Sequence, residues 1–410
     1  MKWKTRKIIR DIKKIEQVKE EMMKKINADC ACFDKKNGWF FNNEYGVLCK
    51  YDVATKEINL QYKVPDEFRW GSIQMSICGD RIFLYPYWCN KLLIFHIVKE
   101  IFEEIEIVCS TEKNLPVSYI GYYKNCIYVY LINNAAIVEV NADTLVCRKF
   151  ELPQMLLHNT ASNDIKCVNG SILFPVISKN MILEFEIESR KVKEHVVNDF
   201  SGGVYTIVYD GDLYWITGSN KAYVKWDKRT GKIVEKWDLP STLRVYCTEQ
   251  NKWIKYQNPS SVSTFPFLKS VFSGDKIWLF PYMANMILQI DVKSGQYKEL
   301  FCPDKNIKYV PDMKPCELLG IDDENHNMVF STPERGYCVL DNKTLNWNEY
   351  NFKIDSEFLA RHIVRETDII NLSRLIKAVC IQKTMTTRKE NQYGRKIYGY
   401  IMKENRWGKL

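Results

Sequence analysis

Apolar runs alternate with polar turns over most of the chain, and one stretch shows the unit most fully. Ser273-Gly-Asp-Lys-Ile-Trp-Leu-Phe-Pro-Tyr-Met-Ala-Asn285 is followed by Met286-Ile-Leu-Gln-Ile-Asp-Val-Lys-Ser-Gly295. Short apolar runs bounded by Gly, Pro, Asn and Asp read as strands joined by tight turns. The pattern therefore predicts a turn, a strand, a turn carrying Pro281 and Asn285, a second strand, and a third turn at 291–295. Cys78-Gly-Asp-Arg-Ile-Phe-Leu-Tyr-Pro-Tyr-Trp-Cys-Asn90 repeats it with the same Pro-to-Asn spacing.

Further copies lie at Asn169-Gly-Ser-Ile-Leu-Phe-Pro175 with Asn180, and at Asp210-Gly-Asp-Leu-Tyr-Trp-Ile216 with Asn220. Weaker ones lie at 125–130 with Asn134, at 37–43, and at 327–333. Their first strand residues are Trp39, Ile82, Ile127, Ile172, Leu213, Ile277 and Met328, in steps of 43, 45, 45, 41, 64 and 51. The third turn supports the count. Asp52/Thr55, Asn141/Thr144, Asp227/Thr230, Asp291/Ser294 and Asp341/Thr344 all place an Asx residue three positions before a hydroxyl, Glu186/Ser189 does so loosely, and the second copy does not. A short carboxylate or amide accepts backbone N–H bonds in such a turn, so structure alone accounts for this motif.

Units of this period with strands a to d in each are the mark of a β-propeller, in which small sheets stack around a central channel. We expect an all-β, seven-bladed β-propeller over residues 27–352, its long step explained by an insertion at 240–265 rich in Pro and Ser. The Gly-Asp turn, the aromatic strand b and the Asp-x-x-Thr/Ser-Gly turn, fullest at Trp226-Asp-Lys-Arg-Thr-Gly231, carry a resemblance. On these motifs the chain resembles bacterial seven-bladed propellers with PQQ-like or YVTN-type repeats and, more distantly, the streptogramin-lyase group. The resemblance implies a fold and brings no catalytic residue with it.

Residues 1–26 place Ile8, Ile12, Ile15, Val18, Met22 and Ile26 at helical spacing among basic residues, which predicts an amphipathic helix. Beyond the repeats, 353–410 reads as a helical, basic extension, with Ile397 to Ile401 either a last helical turn or a strand closing the ring. Residues 1–26 hold ten Lys/Arg against four Asp/Glu and residues 383–410 hold eight against two, so each end is +6 and the body is −3 of the total +9. A basic face suited to nucleic acid is thus missing from the repeats, and the charged ends are free to meet a partner or an anionic surface. The 14 cysteines are scattered, with no Cys-x-x-Cys, and read as buried free thiols. No apolar run is long enough to span a bilayer and no secretory leader is visible, so a cytoplasmic location is expected.

By analogy with other propellers, the b–c turns and the d–a connections share one face. Candidate ligand-binding residues on it are Tyr85, Tyr87, Trp88, Asn90, Asn134, Asn180, Asn220, Phe280, Tyr282, Asn285 and Arg335, with Arg69, His158 and Lys314 nearby. Aromatic faces with amide donors and acceptors suit sugars and other flat polar ligands. Against this, Asn tolerates the left-handed conformation of hairpin turns, and Pro belongs in turns. The five histidines lack metal spacing, no nucleotide or nucleophile-elbow motif occurs, and no cofactor is implied. The expectation is a non-catalytic propeller that binds a polar ligand, glycan or protein; the alternative is a lyase or hydrolase acting on a glycan or cyclic substrate at the channel mouth.

Overall fold

The structure is a computed structural model that describes residues 28–353, apart from 35–36, 43–45, 53, 56, 66–67, 69–72, 87–90, 108–116, 157–160, 248–249, 251, 257–264, 302–316, 322–325, 333–335 and 350. The helices expected in 1–26 and beyond Lys353, and the segment 397–401, lie outside the described residues.

Seven antiparallel sheets form a seven-bladed propeller, each running a-b-c-d in chain order. The a strands are Ala28–Phe33, Ile73–Cys78, Val117–Tyr123, Lys166–Val168, Val204–Tyr209, Phe267–Ser273 and Glu317–Ile321, and they line the centre. Strands b and c are buried on both faces, because each blade is covered by a neighbour on either side. Strand c of blade 3, Ala136–Asn141, is an example, whereas its strand d, Cys147–Glu151, is largely in contact with solvent.

The apolar core is divided among the blade interfaces. Between blades 2 and 3, Phe83, Tyr85, Leu92 and Ile94 meet Ile127, Val129, Leu131 and Val138. Each such side chain contributes about 1.5–3 kcal/mol by leaving water, so the ring is held mainly by these apolar walls. Blades 7 and 1 meet through Phe33, whose ring lies where a Cβ on Gly320 would fall 2.3 Å away. Any larger residue at Gly320 displaces the ring that seals this junction. A last strand, Asn351–Lys353, pairs in parallel with strand d of blade 1, Glu57–Lys63, so the chain leaving blade 7 is stitched to blade 1.

The c–d turns of blades 1, 3, 6 and 7 behave alike. Asp52, Asn141, Asp291 and Asp341 each accept backbone N–H bonds from the residues two and three positions on, at 2.7–3.1 Å. The c–d turns of blades 4, 5 and 6 receive latches from the preceding blade. The fourth residue of strand c reaches the next turn three times: Glu139 to Arg190 at 2.6 Å, Glu184 to Lys228 at 2.7 Å, and Lys225 to the Val292 carbonyl at 3.2 Å.

The insertion is a hairpin, Arg244–Cys247 with Lys252–Lys255, seated on the b–c turn of blade 6. Leu243, Val245 and Tyr256 carry it into the core between blades 5 and 6.

Candidate functional site

The asparagines of the b–c turns fall into two registers. Asn180 and Asn285 stand immediately before strand c of their blades, Met181–Glu186 and Met286–Asp291. Both tie down an incoming segment with two bonds. The Asn180 carbonyl accepts from Val197 N–H at 2.9 Å while its Nδ2 donates to the Val197 carbonyl at 3.2 Å. The Asn285 amide donates to the Arg244 carbonyl at 3.1 Å while its Oδ1 accepts from Arg244 N–H at 3.0 Å.

Asn134 and Asn220 stand one position earlier, two residues before strands Ala136–Asn141 and Ala222–Asp227. Their side-chain oxygens, lying under the surface, have no hydrogen-bond partner. A buried carbonyl without a partner costs about 1–3 kcal/mol, so two at the same register are unusual. Turn conformation does not explain them, because none of the four asparagines has a positive φ; in blade 3 it is Ala135 that takes φ 42°.

The aromatic candidates separate similarly. Tyr85 and Phe280 are fully enclosed, Tyr85 between blades 2 and 3 and Phe280 against Phe330 of blade 7 with ring centroids 5.6 Å apart. Both side chains belong to blade packing. Tyr282 is half-buried on the b–c turn of blade 6, where its backbone N–H donates to the Pro266 carbonyl at 2.9 Å. Tyr87, Trp88, Asn90, Arg335, Arg69, His158 and Lys314 lie outside the described residues. An aromatic pair that the sequence reading missed, Tyr205 and Phe265, meets edge-on at 4.9 Å beside the hairpin.

Two ionic clusters were also not foreseen. Glu184 accepts from Lys228 through Oε1 and pairs with His195 through Oε2 at 2.7 Å each. Burial pushes its carboxyl up, but the bonds from His195, Lys228 and Ser171 outweigh that and hold it at about 2. The second cluster surrounds Asp164, which is sealed from solvent and bonded to Lys166, Ile207 and Ser270. Both carboxylates are held in place by these partners rather than presented to solvent. No group of three or more His, Cys, Asp or Glu among the described residues is arranged to hold a metal ion.

No protein-family model matches the chain, and no curated protein matches it in sequence. Solved structures do match in fold. A streptogramin B lyase structure aligns with TM-score 0.56 at 14% identity over 80% of this chain and 96% of its own. Dihydro-heme d1 dehydrogenase NirN in complex with DHE aligns with TM-score 0.49 at 12% identity, over 78% of this chain and 66% of that one. At such identities the likeness is one of fold.

Proposed function

We propose that this chain is a non-catalytic binding propeller that recognises a polar ligand, a glycan or a segment of protein, on the face formed by its b–c turns. The observation that carries the reading is the pair Asn134 and Asn220, matched in register on blades 3 and 5, with amide oxygens that the fold leaves without donors. The turns cover these oxygens in the free protein, and a ligand rich in hydroxyl or N–H groups would answer them by displacing the side chains above them. Tyr282 supplies an aromatic surface on the same set of turns, and Trp88 is assigned to it by its place after Pro86 in the repeat. The resemblance to PQQ-like or YVTN-type repeats supports the scaffold, and the charge confined to the chain ends supports a contact with a protein or an anionic surface by those ends. A cytoplasmic setting fits the scattered thiols.

The lyase or hydrolase alternative rests on likeness of fold to a lyase. It would need a titratable group free to act, whereas Asp164 and Glu184 are both engaged in the structure.

The test is a glycan array probed with the full chain, followed by titration of the best hit against Asn134→Ala, Asn220→Ala and Tyr282→Ala. Losing a contact at the centre of a binding site typically costs about 2 kcal/mol, so each variant should weaken binding by more than tenfold with little change in melting temperature. Unchanged affinity in all three variants would place the site elsewhere.

A further inference from the structure

The inner strand of blade 4 is interrupted. Lys166 opposes Leu173, and regular antiparallel pairing would put residue 163 opposite Val176; Ala161 stands there instead. Two extra residues are therefore looped out between Ala161 and Lys166, a wide bulge on a strand that lines the channel. Bulges of this kind re-aim side chains, and here they aim them sideways, at the inner strands of the next two blades.

Ser162 Oγ donates to the Tyr205 carbonyl of blade 5 and accepts from Asp164 N–H at 3.1 Å. Asp164 Oδ2 accepts from Ile207 N–H of blade 5 at 2.9 Å and from Ser270 Oγ of blade 6 at 2.5 Å. Its Oδ1 accepts from Ser270 N–H at 3.0 Å and from Lys166 Nζ at 2.5 Å. The same ammonium donates to the Ser270 carbonyl at 2.6 Å. Tyr205 and Ile207 alternate along one edge of strand a, the edge turned away from strand b, and Ser270 holds the matching place in blade 6. An exposed sheet edge is normally met by water or by another strand. In this protein it is met by side chains of the bulge.

We propose that residues 161–166 are a lock that joins blades 4, 5 and 6 into one rigid sector and seals their inner edge, with Asp164 as its centre. One carboxylate bonds to main-chain amides of two separate blades, so its removal frees donors in both. The lock also engages the backbone N–H and carbonyl of both Ile207 and Ser270.

The experiment is hydrogen exchange by mass spectrometry on the full chain, comparing wild type with Asp164→Ala. Peptides spanning 204–209 and 267–273 should exchange at least tenfold faster in the variant, with the b and c strands of blades 2 and 3 unchanged. If neither peptide accelerates, if only one does, or if every blade accelerates by the same factor, the lock does not exist. Should Asp164→Ala fail to fold, Ser270→Ala is read by the same criteria, with a threefold acceleration in both peptides expected.

Discussion

The two faces of this ring are built from turns of equal number and treat their side chains differently. On the c–d face two devices recur: an Asx residue caps the turn in blades 1, 3, 6 and 7, and the turns of blades 4, 5 and 6 take a latch from a fixed position in strand c of the preceding blade. On the b–c face four asparagines occupy turns of similar sequence, yet two tie down incoming chain and two have unanswered oxygens. A residue that does the same work in several repeats is serving the fold. Where the work differs from repeat to repeat, the fold's demands have been met by other means, and it is such side chains that the proposed function draws on.

The largest effect expected from breaking this contrast is at Glu184. Replacing it with Gln removes the charge between His195 and Lys228, and breaking a buried pair on one side costs about 3 kcal/mol. Urea unfolding should register that loss, with binding on the opposite face unchanged. The carboxyl is held at about 2, below its ordinary 4.5, so its contribution is complete above about pH 4.5 and is lost as the pH falls through about 2. Glu184→Gln should accordingly show a flatter stability profile than wild type across that window.

A smaller effect belongs to the a–b turns. Asp210 accepts two backbone N–H bonds and the Trp215 indole N–H at 2.8–2.9 Å, and Asp34 holds Asn37 and Trp39 in the same spacing. Asp210→Ala should cost about 2 kcal/mol, because the indole N–H of a buried Trp loses its acceptor. Blade 6 carries Ser273 at this register, and both Ser273 Oγ and Trp278 Nε1 are buried without partners. Ser273→Asp is expected to restore the bond and stabilise the protein by about 1 kcal/mol, read as a raised denaturant midpoint. A neutral or lower midpoint would mean that the registers differ in geometry.

The smallest changes compare the two asparagine registers directly. Asn180→Ala should lose about 1 kcal/mol with its tie to Val197. Asn134→Ala and Asn220→Ala should leave the midpoint unchanged or slightly raised, since they delete an unpaired acceptor. If all three behave alike, the division of the face into structural and available residues fails.

The blade count, the strand pattern and the Asx turns were legible because each depends on neighbours within a few residues, which spacing reports directly. The asparagine registers were legible too, had distance to strand c been measured in place of distance from proline. Tyr85 and Phe280 were misjudged for a reason of packing. They fall where strand b still lies between two blades, and a strand covered on both faces gives no alternation to show which side chains are enclosed. Asp164 offered only an acidic residue shortly before an inner strand, a signal too common to mark it.

What the sequence by itself determined about this protein is therefore local: turn chemistry, strand order and the iteration of one unit, all governed by hydrogen bonds and apolar runs that close over short stretches of chain. Only the tertiary structure decided how blades address one another. Asp164 and Ser270 are 106 residues apart and meet because stacking around the ring brings the inner edges of blades 4 and 6 within reach of one bulge. Which polar atoms are answered and which are left open depends on such encounters, and no periodicity along the chain encodes them.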